Sequence, residues 1–104
     1  MKYLVTWKLL PVPPEMAKTA LALIEATEAW IEAEKKAGHI TGIWAKADGT
    51  GGVAIDEMES NDALYKKLME SPYSPFLEYC VIPLTDMKLA LKTGRDFLKK
   101  IAGE

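Results

Sequence analysis

The sequence predicts an α+β domain, a four-stranded antiparallel sheet with two helices on one face and a further helix at the C-terminal end. Three observations carry this. Residues 2–10 alternate with period two, residues 14–37 repeat apolar positions every three or four residues, and Asp48-Gly49 separates two short apolar runs. These are the signatures of a strand, an amphipathic helix and a hairpin.

The first strand is KYLVTWKLL. Tyr3, Val5, Trp7 and Leu9 form its apolar face, and Lys2, Leu4, Thr6, Lys8 and Leu10 the other. Pro11, Pro13 and Pro14 end it, and Pro14 also suits the first turn of a helix, where its missing N–H costs nothing. The helix over 14–37 is built from Ala, Leu, Glu and Lys and contains no glycine. Its stripe is Ala17, Leu21, Ile24, Glu28 and Ile31, and Lys35, Lys36 and Gly38 mark its end.

Strands over 39–47 and 52–58 flank the Asp48–Gly51 turn. Ser60 then caps a helix over 61–70 with the stripe Leu64, Leu68 and Met69. Pro72 and Pro75 break the chain, and FLEYCVIPL, residues 76–84, is the last strand. Thr85 or Asp86 caps a helix over 86–101, which either swaps onto a partner or forms an interface. The order β-α-β-β-α-β with an added helix is the ferredoxin-like arrangement, in one domain spanning 1–104.

Composition excludes several functions. The chain has 104 residues, 49% hydrophobic and 27% charged, with a net charge of -2. That is one globular domain with no basic excess, so nucleic acid is not an expected partner. A single cysteine, Cys80, cannot form an intramolecular disulfide, and a single histidine, His39, cannot build a multi-histidine metal site. No cofactor or metal is expected. Lys8 interrupts the N-terminal apolar run, and no stretch approaches the roughly 20 residues that cross a bilayer. The expectation is a cytoplasmic protein without a membrane partner.

The stretch GHITGIW, followed by EMESNDALYKKLMESPYSPFLEYCVIPL, resembles muconolactone isomerase, a family of cofactor-free enzymes of aromatic catabolism. The resemblance rests on Trp44, the helix entry Glu59-Ser60-Asn61-Asp62 with Leu64, the prolines Pro72 and Pro75, and the ending Val81-Pro83-Leu84. It covers about the middle half of the chain and implies a dimeric α/β barrel. It also implies a cofactor-independent isomerase acting on a small lactone or carbonyl compound.

Strand parity places candidate site residues without help from any family. If Tyr3, Val5 and Trp7 face the helices, the open sheet face carries Thr6, Lys8, Trp44, Lys46, Glu57, Glu78 and Cys80. Four strands of five residues give this face roughly 300 Å² in plan, the size of an interface or a binding groove. Proton transfer needs a base and a group that holds the enolate oxygen. Glu78 or Glu57 would be the base and Lys8 or Lys46 the stabiliser, with Thr6, Trp44, Cys80 and the loop residue Tyr73 as substrate contacts.

The alternative to catalysis is a dimeric small-ligand-binding or assembly module, in which Glu57, Glu78 and Lys8 are ion pairs at a seam and Trp44 is packing. One point resists the parity argument. The hairpin register sends Asp56 into the core, unless a bulge at Gly51-Gly52 moves it.

Overall fold

A computed structural model describes residues 1–104. The strands are β1 (Lys2–Leu9), β2 (Ile40–Ala45), β3 (Gly51–Glu57) and β4 (Leu77–Leu84), and the helices are α1 (Ala17–Lys36), α2 (Asn61–Glu70) and α3 (Met87–Ala102). Short 3₁₀ turns at Pro14–Met16 and Ser74–Phe76 lead into α1 and β4. The sheet order is β2-β3-β1-β4, and every pair is antiparallel. This is the predicted ferredoxin-like α+β arrangement.

Local chemistry explains most boundaries. Ser60 Oγ accepts from the Ala63 N–H at 3.1 Å, which starts α2. Gly38 takes a positive φ of 79° just past α1, a conformation that glycine adopts without cost. The hairpin turn is longer than expected, so β2 stops at Ala45. Asp48 Oδ1 accepts from the Thr50 N–H at 3.0 Å and from its hydroxyl at 2.7 Å, and Gly49 has φ 76°. Asp86 occupies the position before α3, but its side chain makes no capping bond.

Tyr3 and Val5 are buried against Leu64 and Leu68 of α2, as the parity of β1 requires. The Tyr3 hydroxyl donates to Asn61 Oδ1 at 2.6 Å and ties β1 to the first turn of α2. In α1, by contrast, only Ala20 is buried. This helix stands off the sheet, and the space beneath it is a cavity.

A bulge does occur in the β2–β3 pairing, but between Ile40 and Gly42 and not at Gly51-Gly52. Asp56 therefore stays on the helix side. The glycines have another function. A Cβ at Gly51 would overlap the Trp7 carbonyl, and one at Gly52 would overlap the Trp7 indole. Their bare backbone lets Trp7 lie across β3. The third helix, α3, stands apart. None of its residues is buried, and with it the molecule measures 66 × 28 × 23 Å.

Candidate active site

The cavity under α1 has a volume of about 340 Å³. Val5, Trp7 and Leu9 of β1 and Leu77 and Tyr79 of β4 line the sheet side, and Ile24 and Ile31 line the α1 side. Strand alternation and the helical repeat bring these residues together, because each belongs to the apolar face of its own element. The walls are apolar, and the polar groups are few and convergent, which is the make-up of a small-molecule site.

Asp56 and Lys67 supply the charge. Asp56 is 2% exposed and Lys67 4%, and Lys67 Nζ lies 2.8 Å from Asp56 Oδ2. Asp56 Oδ1 is buried with no hydrogen-bond partner. Burial holds the Asp56 carboxyl above its usual range, against the opposing pull of the Lys67 hydrogen bond and charge. Glu34 pushes it further up, and His39 draws it down. These two residues are joined to each other, His39 Nδ1 to Glu34 Oε2, at 2.7 Å. Lys67 Nζ also lies 5.8 Å from the centre of the Trp30 ring, within reach of a cation–π attraction. Burial raises the Tyr79 phenol as well, with Ser71 acting against it.

The arrangement can hold a neutral organic molecule against a carboxylate oxygen that has no other partner. It also places a cation on the other oxygen of the same carboxylate, in the wall of the same cavity, which suits an anion forming on the bound molecule. No group of three or more His, Cys, Asp or Glu side chains converges to hold a metal.

The sequence-predicted residues fall in four places. Thr6, Lys8, Lys46, Glu78 and Cys80 share a second cavity of about 260 Å³ on the open sheet face. Lys8, Lys46, Glu78 and Cys80 are exposed there. Glu57 is not with them. Antiparallel pairing sets it opposite Lys2 and sets Lys8 opposite Gly51 and Glu78. Lys8 thus cannot reach both glutamates, and Glu57 lies 3.5 Å from the N-terminal amine instead. Trp44 is 59% exposed on the edge strand β2, with its ring over Gly42. Tyr73 lines the other chamber, with Asp56.

Lys67 was not among the expected site residues, although its spacing marks it. It follows Leu64 by three and precedes Leu68 by one, which puts an ammonium group inside an apolar stripe. Asp56 was marked as misplaced, and the two anomalies explain each other.

The sequence profile of the muconolactone delta-isomerase family matches residues 1–88. Among solved structures, muconolactone isomerase superposes with a TM-score of 0.68 at 22% identity, over 83% of this chain and 90% of that one. The 5-chloro-2-hydroxyhydroquinone dehydrochlorinase of Burkholderia phenoliruptrix AC1100 superposes with a TM-score of 0.61 at 22% identity, over 85% and 97%. At that identity the likeness is one of fold. No curated protein matches the chain closely enough to count as a relative. No helix is long and apolar enough to cross a membrane.

Proposed function

Because the chain belongs to the muconolactone delta-isomerase family, we propose that it is a cofactor-independent isomerase. Its substrate is a small unsaturated lactone or related carbonyl compound, and the site is the cavity under α1. The observation that carries this reading is Asp56, a buried residue in the wall of an apolar cavity, whose Oδ1 has no partner while Oδ2 is held by Lys67.

The chemistry follows from that geometry. Asp56 Oδ1 takes a proton from the carbon α to the carbonyl. The electrons of the broken C–H bond move into the carbon framework, and negative charge gathers on the carbonyl oxygen. The Lys67 ammonium group stabilises that charge, and the carboxylic acid returns the proton to a carbon farther along the conjugated system. The double bond has then shifted, and no atom is gained or lost. A raised pKa suits Asp56 to both halves of the step, because an ordinary carboxylate is a weak base that takes a proton poorly, whereas a much stronger base would give it back slowly. A volume near 340 Å³ suits a single small ring.

The test uses unsaturated γ-lactones, muconolactone among them, incubated with the protein in deuterium oxide and followed by proton NMR. Loss of the α-proton signal together with a shifted double bond is the expected result, and Asp56→Asn removes both. Exchange and isomerisation that persist in Asp56→Asn would overturn the assignment. The exposed set of Lys8, Lys46 and Glu78 would then be the site to test.

The open sheet face has a different place in this reading. It carries Leu4, Val53 and Ile55 half-exposed and Ile82 exposed, and we assign it to self-association.

A further inference from the structure

The cavity under α1 holds a polar pair that the proton transfer does not use. Tyr79 on β4 and Ser71 at the end of α2 both line it, and Ser71 is buried. Tyr79 alternates with the exposed Glu78 and Cys80, so it shares the helix side of the sheet with Trp7, its partner on β1. Ser71 follows Lys67 by four residues and keeps a helical φ of -59°, so it continues the face of α2 that carries Lys67. The two are thus about 6 Å apart along the helix axis. Lys67 sits on Asp56, and Ser71 sits beside Tyr79.

The other donors of the lining are placed differently. Thr27 Oγ1 donates to the Leu23 carbonyl at 2.7 Å, within α1. Tyr73 belongs to the loop after α2 and packs on Phe76, with ring centres 5.4 Å apart. The Lys67 ammonium is already on Asp56 Oδ2. Burial raises the Tyr79 phenol above its ordinary 10.0, Ser71 draws it down and Asp56 adds to the rise, so Tyr79 keeps its proton near neutral pH. The downward pull of Ser71 is that of a hydroxyl donating to the phenol oxygen. A phenol that accepts there has its own O–H left to give. In apolar surroundings a fixed O–H acts on a carbonyl oxygen, and more strongly on the anion it becomes.

We propose that the Tyr79 hydroxyl holds the substrate's carbonyl oxygen, and the enolate oxygen formed from it, while Ser71 fixes the phenol in position. The proton stays on Tyr79 throughout, and the bound oxygen turns the α-carbon toward Asp56. This role rests on the cavity being the site of proton transfer, so the test includes a readout that needs no turnover.

The probe is 4-nitrophenolate, a single ring whose anionic oxygen stands in for the enolate. Nitrobenzene has the same ring without that oxygen. Both quench indole emission, and Trp7 and Trp30 line the cavity, so fluorescence titration gives both affinities. Tyr79→Phe should weaken 4-nitrophenolate about tenfold or more and leave nitrobenzene unchanged, because only a hydrogen bond to a charged oxygen is lost. Asp56→Asn, which stands for the protonated base, should bind the phenolate more tightly than the parent, and Tyr79→Phe should cost as much on that background. Ser71→Ala should weaken the phenolate less than Tyr79→Phe and add nothing to it in the double variant, since Ser71 acts only through the phenol. With a responsive lactone, Tyr79→Phe should lower kcat by about 10²-fold and change KM little.

Unchanged phenolate affinity in Tyr79→Phe would overturn the proposal. So would an equal loss for both probes, which would make the hydroxyl a matter of cavity shape. Loss in Tyr73→Phe with none in Tyr79→Phe would move the donor to the loop and overturn it as well. A parent that binds neither probe would overturn it by showing no ring-sized site at Tyr79. Failure of the isomerase reading looks different: no lactone exchanges its α-proton, yet Tyr79→Phe still weakens the phenolate alone.

Discussion

Lys67 Nζ binds one oxygen of Asp56 at 2.8 Å and leaves the other with no partner, inside a chamber that excludes most solvent from both residues. A buried pair of this kind contributes little net stability, but removal of one member leaves an uncompensated charge. Lys67→Met should therefore destabilise the protein by about 3–5 kcal/mol. The double variant Asp56→Asn/Lys67→Met should recover most of that loss. Urea unfolding of both variants decides this, and equal loss in the single and double variants would mean that the pair is not coupled.

Asp56→Asn should lower turnover of a responsive lactone by about 10²–10⁴-fold, the range for a lost general base. Lys67→Arg keeps the charge and should retain more activity than Lys67→Met. Stopped-flow or NMR rates for the three variants give the comparison.

The pH dependence has a definite sign. Burial raises the Asp56 pKa in the folded protein above its ordinary 3.8, so the folded state binds that proton more readily than the unfolded chain. The Asp56 contribution to stability is therefore greatest below the unfolded value and is lost as pH rises through the folded one. Turnover, which needs the carboxylate, should rise over the same interval. A Tm series and a rate profile on one buffer set test the opposed trends, and Asp56→Asn should flatten the Asp56 component of both.

Gly51→Ala and Gly52→Ala should differ. At Gly51 the new methyl overlaps the Trp7 carbonyl, which cannot move without breaking the β1–β3 ladder, whereas at Gly52 it meets the Trp7 indole and, less severely, the Trp44 carbonyl oxygen at 2.7 Å. The first should cost more than the roughly 1–3 kcal/mol of ordinary overpacking. The second should cost less but reshape the cavity floor, seen as a changed KM.

Trp44 is the prediction for the open sheet face. Its ring rests on Gly42 and is mostly exposed, so Trp44→Ala should leave the fold nearly as stable as before. An aromatic at the centre of an interface loses about 2 kcal/mol or more of association on truncation. Sedimentation of the parent should show no 11.5 kDa species at micromolar concentration, and Trp44→Ala should produce one. An unchanged mass distribution would show that Trp44 lies outside any interface between copies.

The fold was readable because its signals are local. Alternation in β1, the Ser60 cap, the Asp48-Gly49 turn and the Gly38 stop each depend on a few adjacent residues. The chamber was not readable, because it depends on how far α1 stands from the sheet, which no spacing records. Parity assigned Asp56 to the helix side correctly. Without Lys67 in view, that placement looked like an error in need of a bulge. Glu57 and Lys8 were grouped because they share a face, but a shared face says nothing of position along the strands, and antiparallel pairing separates them.

Asp56 and Lys67, the buried charged pair of the chamber, are only eleven positions apart, on a strand and on the helix that follows it. The apolar walls come from elsewhere, chiefly α1 and the two strands on the other side of β3. In the proposed function, reactivity and molecular selectivity are thus encoded in separate stretches of the gene. Substitutions at Ile24, Thr27 or Ile31 should retune which compound enters while the strand–helix unit bearing the proposed proton-transfer groups is left untouched. An engineer or a lineage seeking a new substrate would begin with those three codons.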